Sequence, residues 1–337
     1  MPERILIVAP SWVGDAVLSE PLIAVLREPL QEPSIDVLAP HWCAPVYARM
    51  RGVAAVVESP FRHGELSLGR RRLLAQDLRA RSYAIAFVLP NSFKSALIPW
   101  LARIPRRIGY AGEMRRALLT DARRLDRRSL VRLVDRFVAL AVPPGRLIPT
   151  PPAPVLVPDV AKAGAAVREL GLSTRRPIAV LCPGAEFGPA KRWPAEHFVA
   201  LARRLLDDGF AVWLMGSPND QAAASPIAGA VPEARDLTGR TDLGAAIDLL
   251  SLASVVVSND SGLMHAAAGV GRPLIALFGS SSPEYTPPLS PLARVARIEI
   301  VCSPCFQREC PLGHFKCMRE LDPAEVHRLA RSVAASR

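Results

Sequence analysis

Ile5-Leu6-Ile7-Val8-Ala9 runs straight into Pro10-Ser11-Trp12-Val13-Gly14-Asp15-Ala16, and the reading of that junction decides the fold. An unbroken apolar run rich in β-branched residues makes a strand buried on both faces, the kind that parallel sheets use. Proline and glycine then turn the chain, and residues 16–26 place their apolar side chains at helical spacing. Strand, tight turn, helix is the opening unit of an open α/β domain. Gly14 lets the backbone approach a ligand closely, and the helix start offers unpaired N–H groups. Asp15 stands where a carboxylate can deprotonate a hydroxyl, or where it merely complements the helix dipole. The turn is not G-x-G-x-x-G, which argues against a dinucleotide oxidoreductase.

Outward from this unit the pattern repeats. Strands are predicted at 35–39, 54–57 and 84–89, with helices at 66–79 and 93–101. A proline-dense stretch follows, holding Pro143, Pro144, Pro149, Pro151, Pro152, Pro154 and Pro158. Such a run neither continues a helix nor sits inside a sheet, so it reads as a linker. The pattern then restarts, with strands at 178–182, 211–215, 254–258 and 274–278 and helices at 195–206, 243–252, 262–268 and 323–334. A chain of 337 residues exceeds one ordinary core. The expectation is two Rossmann-like parallel-sheet α/β domains, 1–155 and 156–337, facing a central cleft, with the last helix free to return to the first. Ligands of such sheets bind outside the carboxyl ends of the strands. No repeat of solenoid type is present.

Half of the residues are apolar and 22% are charged, the balance of a folded chain. The first strand is too short for a signal sequence, and no run of about 18 apolar residues exists. A cytoplasmic protein with reduced cysteines is therefore expected. Residues 1–150 carry 23 Lys/Arg against 13 Asp/Glu, whereas the remainder carries 19 against 18. Arg70–Arg72, Arg106-Arg107, Arg115-Arg116, Arg123-Arg124 and Arg127-Arg128 supply most of the excess. Such a field attracts a polyanion, or it is a set of solvated helix faces.

Four further stretches carry chemistry-bearing residues. Pro90-Asn91-Ser92-Phe93-Lys94 ends a predicted strand, with Asn91 or Ser92 placed to cap the next helix and Lys94 adding a charge. The loop Cys182-Pro183-Gly184-Ala185-Glu186-Phe187-Gly188-Pro189-Ala190-Lys191-Arg192-Trp193 suits a diphosphate, with Lys191 placed to neutralise a leaving phosphate. Asn259-Asp260-Ser261-Gly262-Leu263-Met264-His265 is a third strand–turn–helix junction, where Asp260 can accept sugar hydroxyls and His265 can donate. Asp220 closes another predicted strand end and suits a ribose diol. Finally, Cys302, Cys305, Cys310, His314 and Cys317 crowd into sixteen residues. Structural zinc usually spaces two close ligand pairs across a longer loop. Reduced structural thiols come first here, with metal binding or a redox role as alternatives, and no metal ligand is assigned.

Taken together and in order, PSWVGD at 10–15, PNSFKSAL at 90–97, CPGAEFGPAKRW at 182–193 and NDSGLMHAAA at 259–268 resemble glycosyltransferase family 9, the lipopolysaccharide heptosyltransferases. Trp12 and the 184–193 loop favour its type II branch. The likeness covers residues 5 to about 288 and carries nothing over to the cysteine segment. It implies a GT-B fold, with the acceptor on the first domain and the donor on the second. It implies inverting, metal-independent and cofactor-free transfer of L-glycero-D-manno-heptose from ADP-heptose. The implied acceptor is heptosyl-Kdo-lipid A at the inner membrane surface, met by a peripheral, monomeric protein with no nucleic-acid partner. Asp15 matches the family's general base and Lys191 its donor lysine. Gly184, Glu186, Asp220, Asp260, Ser261, Gly262 and His265 fall at donor positions, and Ser11, Trp12, Gly14, Asn91 and Lys94 on the acceptor side. Alternatives are the type I enzyme acting on Kdo-lipid A, a nucleotide-sugar epimerase of similar build, and a non-catalytic binder of polyanions.

Overall fold

A computed structural model describes residues 3–27, 33–61 and 65–335. The chain divides into two compact units, Met1–Pro154 and Val155–Arg337. The first holds a six-stranded parallel sheet: β1 (Arg4–Val8), β2 (Ser34–Pro40), β3 (Val53–Ser59), β4 (Ile85–Val88), β5 (Arg106–Tyr110) and β6 (Asp121–Arg123), in the order β3-β2-β1-β4-β5-β6. The second holds β7 (Ile178–Cys182), β8 (Ala211–Leu214), β9 (Arg235–Asp236), β10 (Val255–Asn259), β11 (Leu274–Phe278) and β12 (Ala293–Arg297), in the order β12-β11-β10-β7-β8-β9. Counted from each unit's own first strand, the two orders are the same. Each sheet therefore reverses direction of growth beside its first strand, between β1 and β4 and between β7 and β10. Strand order that reverses in this way opens a crevice at the carboxyl ends of the two flanking strands.

The central strands follow from their composition. All five residues of β7, β10 and β11 are buried, as a sheet covered on both faces requires. In the second unit Leu181, Val257 and Leu277 pack with Trp193, Phe198, Leu201 and Leu205. The last helix, Pro323–Ala335, adds Val326, Ala330 and Val333 to this same core. In the first unit Leu6, Val8, Ala86 and Val88 pack with Leu78, Leu97 and Ile98.

Four strands have no counterpart among the predicted ones. β6, β9 and β12 lie at sheet edges and are half exposed, so no apolar run marks them. β5 is internal, but it opens on Arg106-Arg107 and contains Gly109, where an added Cβ would stand 3.0 Å from the carbonyl of Val88. The helical stretch expected at 16–26 is two helices, Val13–Leu18 and Glu20–Arg27. Pro21 explains the break, because it has no N–H to give and its ring crowds the preceding turn. Ser19 occupies the joint, donating to the carbonyl of Ala16 at 2.7 Å and sharing a 3.0 Å hydrogen bond with the Tyr47 hydroxyl. Between Val142 and Asp159 the described chain is irregular apart from a bridge at Leu156, whose N–H bonds to Gly269. No helix among the described residues is long and apolar enough to cross a membrane.

Candidate active site

In the second unit the polar residues gather where strand order reverses. The loop after β7 carries Lys191, and the turn after β10 carries Asp260. The Lys191 ammonium reaches Asp260 Oδ2 at 2.5 Å, and the Ser281 hydroxyl donates to the same oxygen at 2.5 Å. Asp260 is buried and Lys191 largely so. On the other carboxylate oxygen, His265 Nε2 stands 4.0 Å away. Burial pushes the His265 imidazole down to about 4, with Lys191 adding to that shift and Asp260 opposing it. The ring is therefore neutral at pH 7 and keeps one N–H to donate.

Asn259 ties the two loops together. Its Nδ2 donates to the Pro183 carbonyl at 2.7 Å, and its Oδ1 accepts from the Trp193 N–H at 3.1 Å. The basic end of the loop is thus clamped to β10 at both ends, with Lys191 between the clamps. Phe187 lies under the Lys191 ammonium, 5.0 Å from ring centre to nitrogen.

Asp220 forms the neighbouring wall. Ser217 donates to its Oδ2 through its N–H at 2.9 Å and its hydroxyl at 2.8 Å, while its buried Oδ1 has no partner. Glycine is required opposite, since a Cβ at Gly184 would come within 2.1 Å of Oδ1. Glu186 is exposed and accepts from Asn219 Nδ2 at 3.3 Å. Ser261 holds an extended conformation at the head of the helix Gly262–Gly269, with its hydroxyl 3.1 Å from that of Ser258. All the expected donor-side residues therefore fall on this group of strand ends.

In the first unit Asp15 lies in the first turn of the helix Val13–Leu18 and is half-buried. It stands near Cys43, whose thiol is pushed up to about 12 by burial first and by the Asp15 charge second. Trp12 is exposed beside it. The Ser11 carbonyl accepts from Trp42 Nε1 at 2.8 Å, which pins the turn against the loop after β2. The 90–95 loop leaves the adjacent strand β4, so Asn91 and Lys94 share this end of the sheet. Ser92 occupies the cap position of the helix Phe93–Leu101, but its side chain does not cap. Glu113 does so instead, accepting from the Phe93 N–H at 2.9 Å.

Arginine plays a part that composition did not suggest. Arg115 is fully buried and donates to the Tyr110 carbonyl at 2.6 and 2.8 Å, to Ser95 Oγ at 3.1 Å and to Asn91 Oδ1 at 3.2 Å, as well as to the Pro90 carbonyl. Arg71 is also buried and reaches the carbonyls of Glu65 and Lys94. Arg107 and Arg123 donate to further carbonyls. Part of the basic excess is thus turned inward as backbone staples. Ser281 was missed for a different reason. Gly279-Ser280-Ser281-Ser282 ends a predicted strand, and that placement was the available signal.

Residues 71–316 match the model of glycosyltransferase family 9 (heptosyltransferase). The chain belongs to glycosyltransferase family 9. Within this family it is 42% identical over 334 residues to lipopolysaccharide heptosyltransferase 2 of Escherichia coli, covering 96% of each chain. It is 44% identical over 308 residues to lipooligosaccharide heptosyltransferase 2 of Haemophilus influenzae, covering 88% of each. The solved structure of the E. coli ADP-heptose LPS heptosyltransferase II superposes with a TM-score of 0.87 at 39% identity, covering 98% of both chains. The family's GT-B architecture accounts for the two parallel sheets.

Proposed function

We propose that this chain is a type II heptosyltransferase, moving L-glycero-D-manno-heptose from ADP-heptose to the first heptose of the lipopolysaccharide inner core with inversion. One observation carries the reading: Lys191, Asp260, Ser281 and Asp220 converge at the strand ends of one unit, and in the other unit Asp15 follows that unit's own first strand. The relatives named heptosyltransferase 2 support the choice of donor and acceptor.

Inverting transfer needs one base and a stabilised leaving group. The acceptor hydroxyl attacks the anomeric carbon as the bond from that carbon to the diphosphate oxygen breaks. Asp15 takes the hydroxyl proton, and the electron pair of the broken bond leaves with ADP. Lys191 neutralises the departing diphosphate, work that counts most where water is excluded. A diphosphate competes with Asp260 for that ammonium, which frees Asp260 to accept sugar hydroxyls. The unpaired Oδ1 of Asp220 suits a ribose hydroxyl. Exposed arginines left after the inward ones are discounted, among them Arg72, Arg116, Arg124, Arg127 and Arg128, suit a phosphorylated acceptor at the cytoplasmic face of the inner membrane. The protein would act there as a peripheral monomer.

ADP release measured with ADP-heptose and either heptosyl-Kdo-lipid A or Kdo-lipid A tests the reading. Release should require the heptosylated acceptor. Equal release with Kdo-lipid A would transfer the case to a type I activity, and release without any acceptor would point to a hydrolase or epimerase.

A further inference from the structure

The cysteine segment is the one conspicuous motif that sugar transfer does not use. Cys302, Cys305, Cys310 and Cys317 are free and none is fully exposed. They line a single cavity of about 50 Å³, together with Ser280, Ala190 and His314. Twelve other residues separate the four cysteines, yet all four line one space, an arrangement that four unrelated structural thiols have no reason to adopt. The spacing is C-x2-C-x4-C-x6-C. Cys310 is already dressed as a ligand. Its sulfur accepts the Phe315 N–H at 3.4 Å. His314 is engaged through Nδ1, which accepts the Lys316 N–H at 3.0 Å.

We propose that Cys302, Cys305, Cys310 and Cys317 bind one tetrahedral transition-metal ion of the thiolate-preferring class, Zn2+ or Fe2+, and that the resulting knuckle braces the Lys191 loop from behind. A four-sulfur set selects those ions over hard cations. Binding exchanges thiol protons for the metal and releases them to solvent. Among the described residues no three His, Cys, Asp or Glu side chains stand ready-made as a metal centre, so the sulfurs must draw together, and the cavity they line leaves room for that. The brace is visible in the contacts. The Ala190 N–H donates to the Arg308 carbonyl at 3.0 Å, the Phe306 N–H to Ser280 at 2.7 Å and the Ser303 hydroxyl to Gly279 at 2.6 Å. A Cβ at Gly188 would stand 2.4 Å from the Arg308 carbonyl, so the two loops touch backbone to backbone.

The test starts from the intact protein, purified without chelator and without oxygen. Elemental analysis should find close to one Zn or Fe per chain, and the two counts separate the ions. Replacement by Co2+ should give the visible bands of a tetrahedral tetrathiolate site. Stripping the metal should lower Tm by more than about 5 °C and speed hydrogen exchange of the Ala190 amide at least tenfold. Both readouts are independent of the sugar-transfer reading. Cys302→Ser and Cys317→Ser should lose the ion, whereas His314→Ala should keep it. Fully reduced intact protein that binds none of Zn2+, Fe2+ or Co2+ would overturn the site. So would fewer than six thiols titratable in metal-free, denatured protein, which would reveal a disulfide. Unchanged Ala190 exchange on stripping would overturn the brace.

Discussion

The two units share a strand order but organise their polar turns in opposite ways. In the second unit a buried carboxylate, Asp260, is the hub, and the groups around it are side chains: Lys191, Ser281 and His265. In the first unit a buried cation, Arg115, is the hub, and most of its partners are backbone carbonyls of the chain that it shapes. A carboxylate held by side-chain donors can exchange partners when a ligand arrives. A guanidinium locked onto carbonyls cannot, because each carbonyl released would be left buried and unpaired. The difference suggests a rigid floor in the first unit carrying one reactive group, Asp15, and an adaptable cradle in the second.

The largest expected effect tests the reactive group. Asp15→Ala should lower kcat by about 10³–10⁴-fold, the upper range for a positioned general base. ADP-heptose binding, followed by calorimetry, should stay within about twofold. A variant that turns over normally would remove Asp15 from the chemistry and leave the first unit without a base. Next in size is the rigid floor. Arg115→Met should destabilise the protein by about 3–4 kcal/mol, since it strands several buried carbonyls at once. Arg115→Lys should rescue little of this, because one ammonium cannot span Tyr110, Ser95 and Asn91 together. Chemical denaturation reads both, and full recovery by lysine would show that charge alone matters there. The adaptable cradle comes third. Lys191→Ala should cost roughly a hundredfold in kcat/KM, divided between donor affinity and rate. Loss confined to KM would assign Lys191 to binding and leave the leaving group unassisted.

How much of this was legible in the sequence follows the same division. Buried central strands announce themselves by apolar runs, so β1, β7, β10 and β11 stood out, and with them the turns that bear Asp15, Lys191 and Asp260. Those turns are local: strand end, glycine or proline, polar residue. Edge strands were silent because half of their residues face solvent. Arg115 was silent for a deeper reason. Nothing in Met114-Arg115-Arg116 distinguishes the arginine that is fully buried from the one that is exposed, because the decision rests on carbonyls 5 to 25 residues away. The cysteines lay between these cases, their spacing visible but their meeting at one cavity not.

The smallest effect separates the two kinds of hub by pH. His265 is held neutral by burial, with a folded value of about 4 against an ordinary 6.5. Between those two values the unfolded chain carries a proton on this imidazole that the folded chain lacks. Stability therefore falls as pH drops from 6.5 towards 4, and levels off below that range. One proton displaced over this window corresponds to between about 1 and 3 kcal/mol. Tm followed from pH 7 to pH 4 should show that slope, and His265→Gln should remove it. Asp260→Asn should carry the loss to lower pH, because Asp260 is the charge that favours the protonated ring while Lys191 opposes it. The Arg115 hub responds at the other end of the scale. Burial draws its guanidinium down to about 10, which leaves it charged throughout the acid range, so Arg115→Met should shift the whole Tm curve without changing its slope there. If the acid slope survives in His265→Gln, the proton is being taken up elsewhere, and the cradle around Asp260 is less sensitive to charge than its geometry implies.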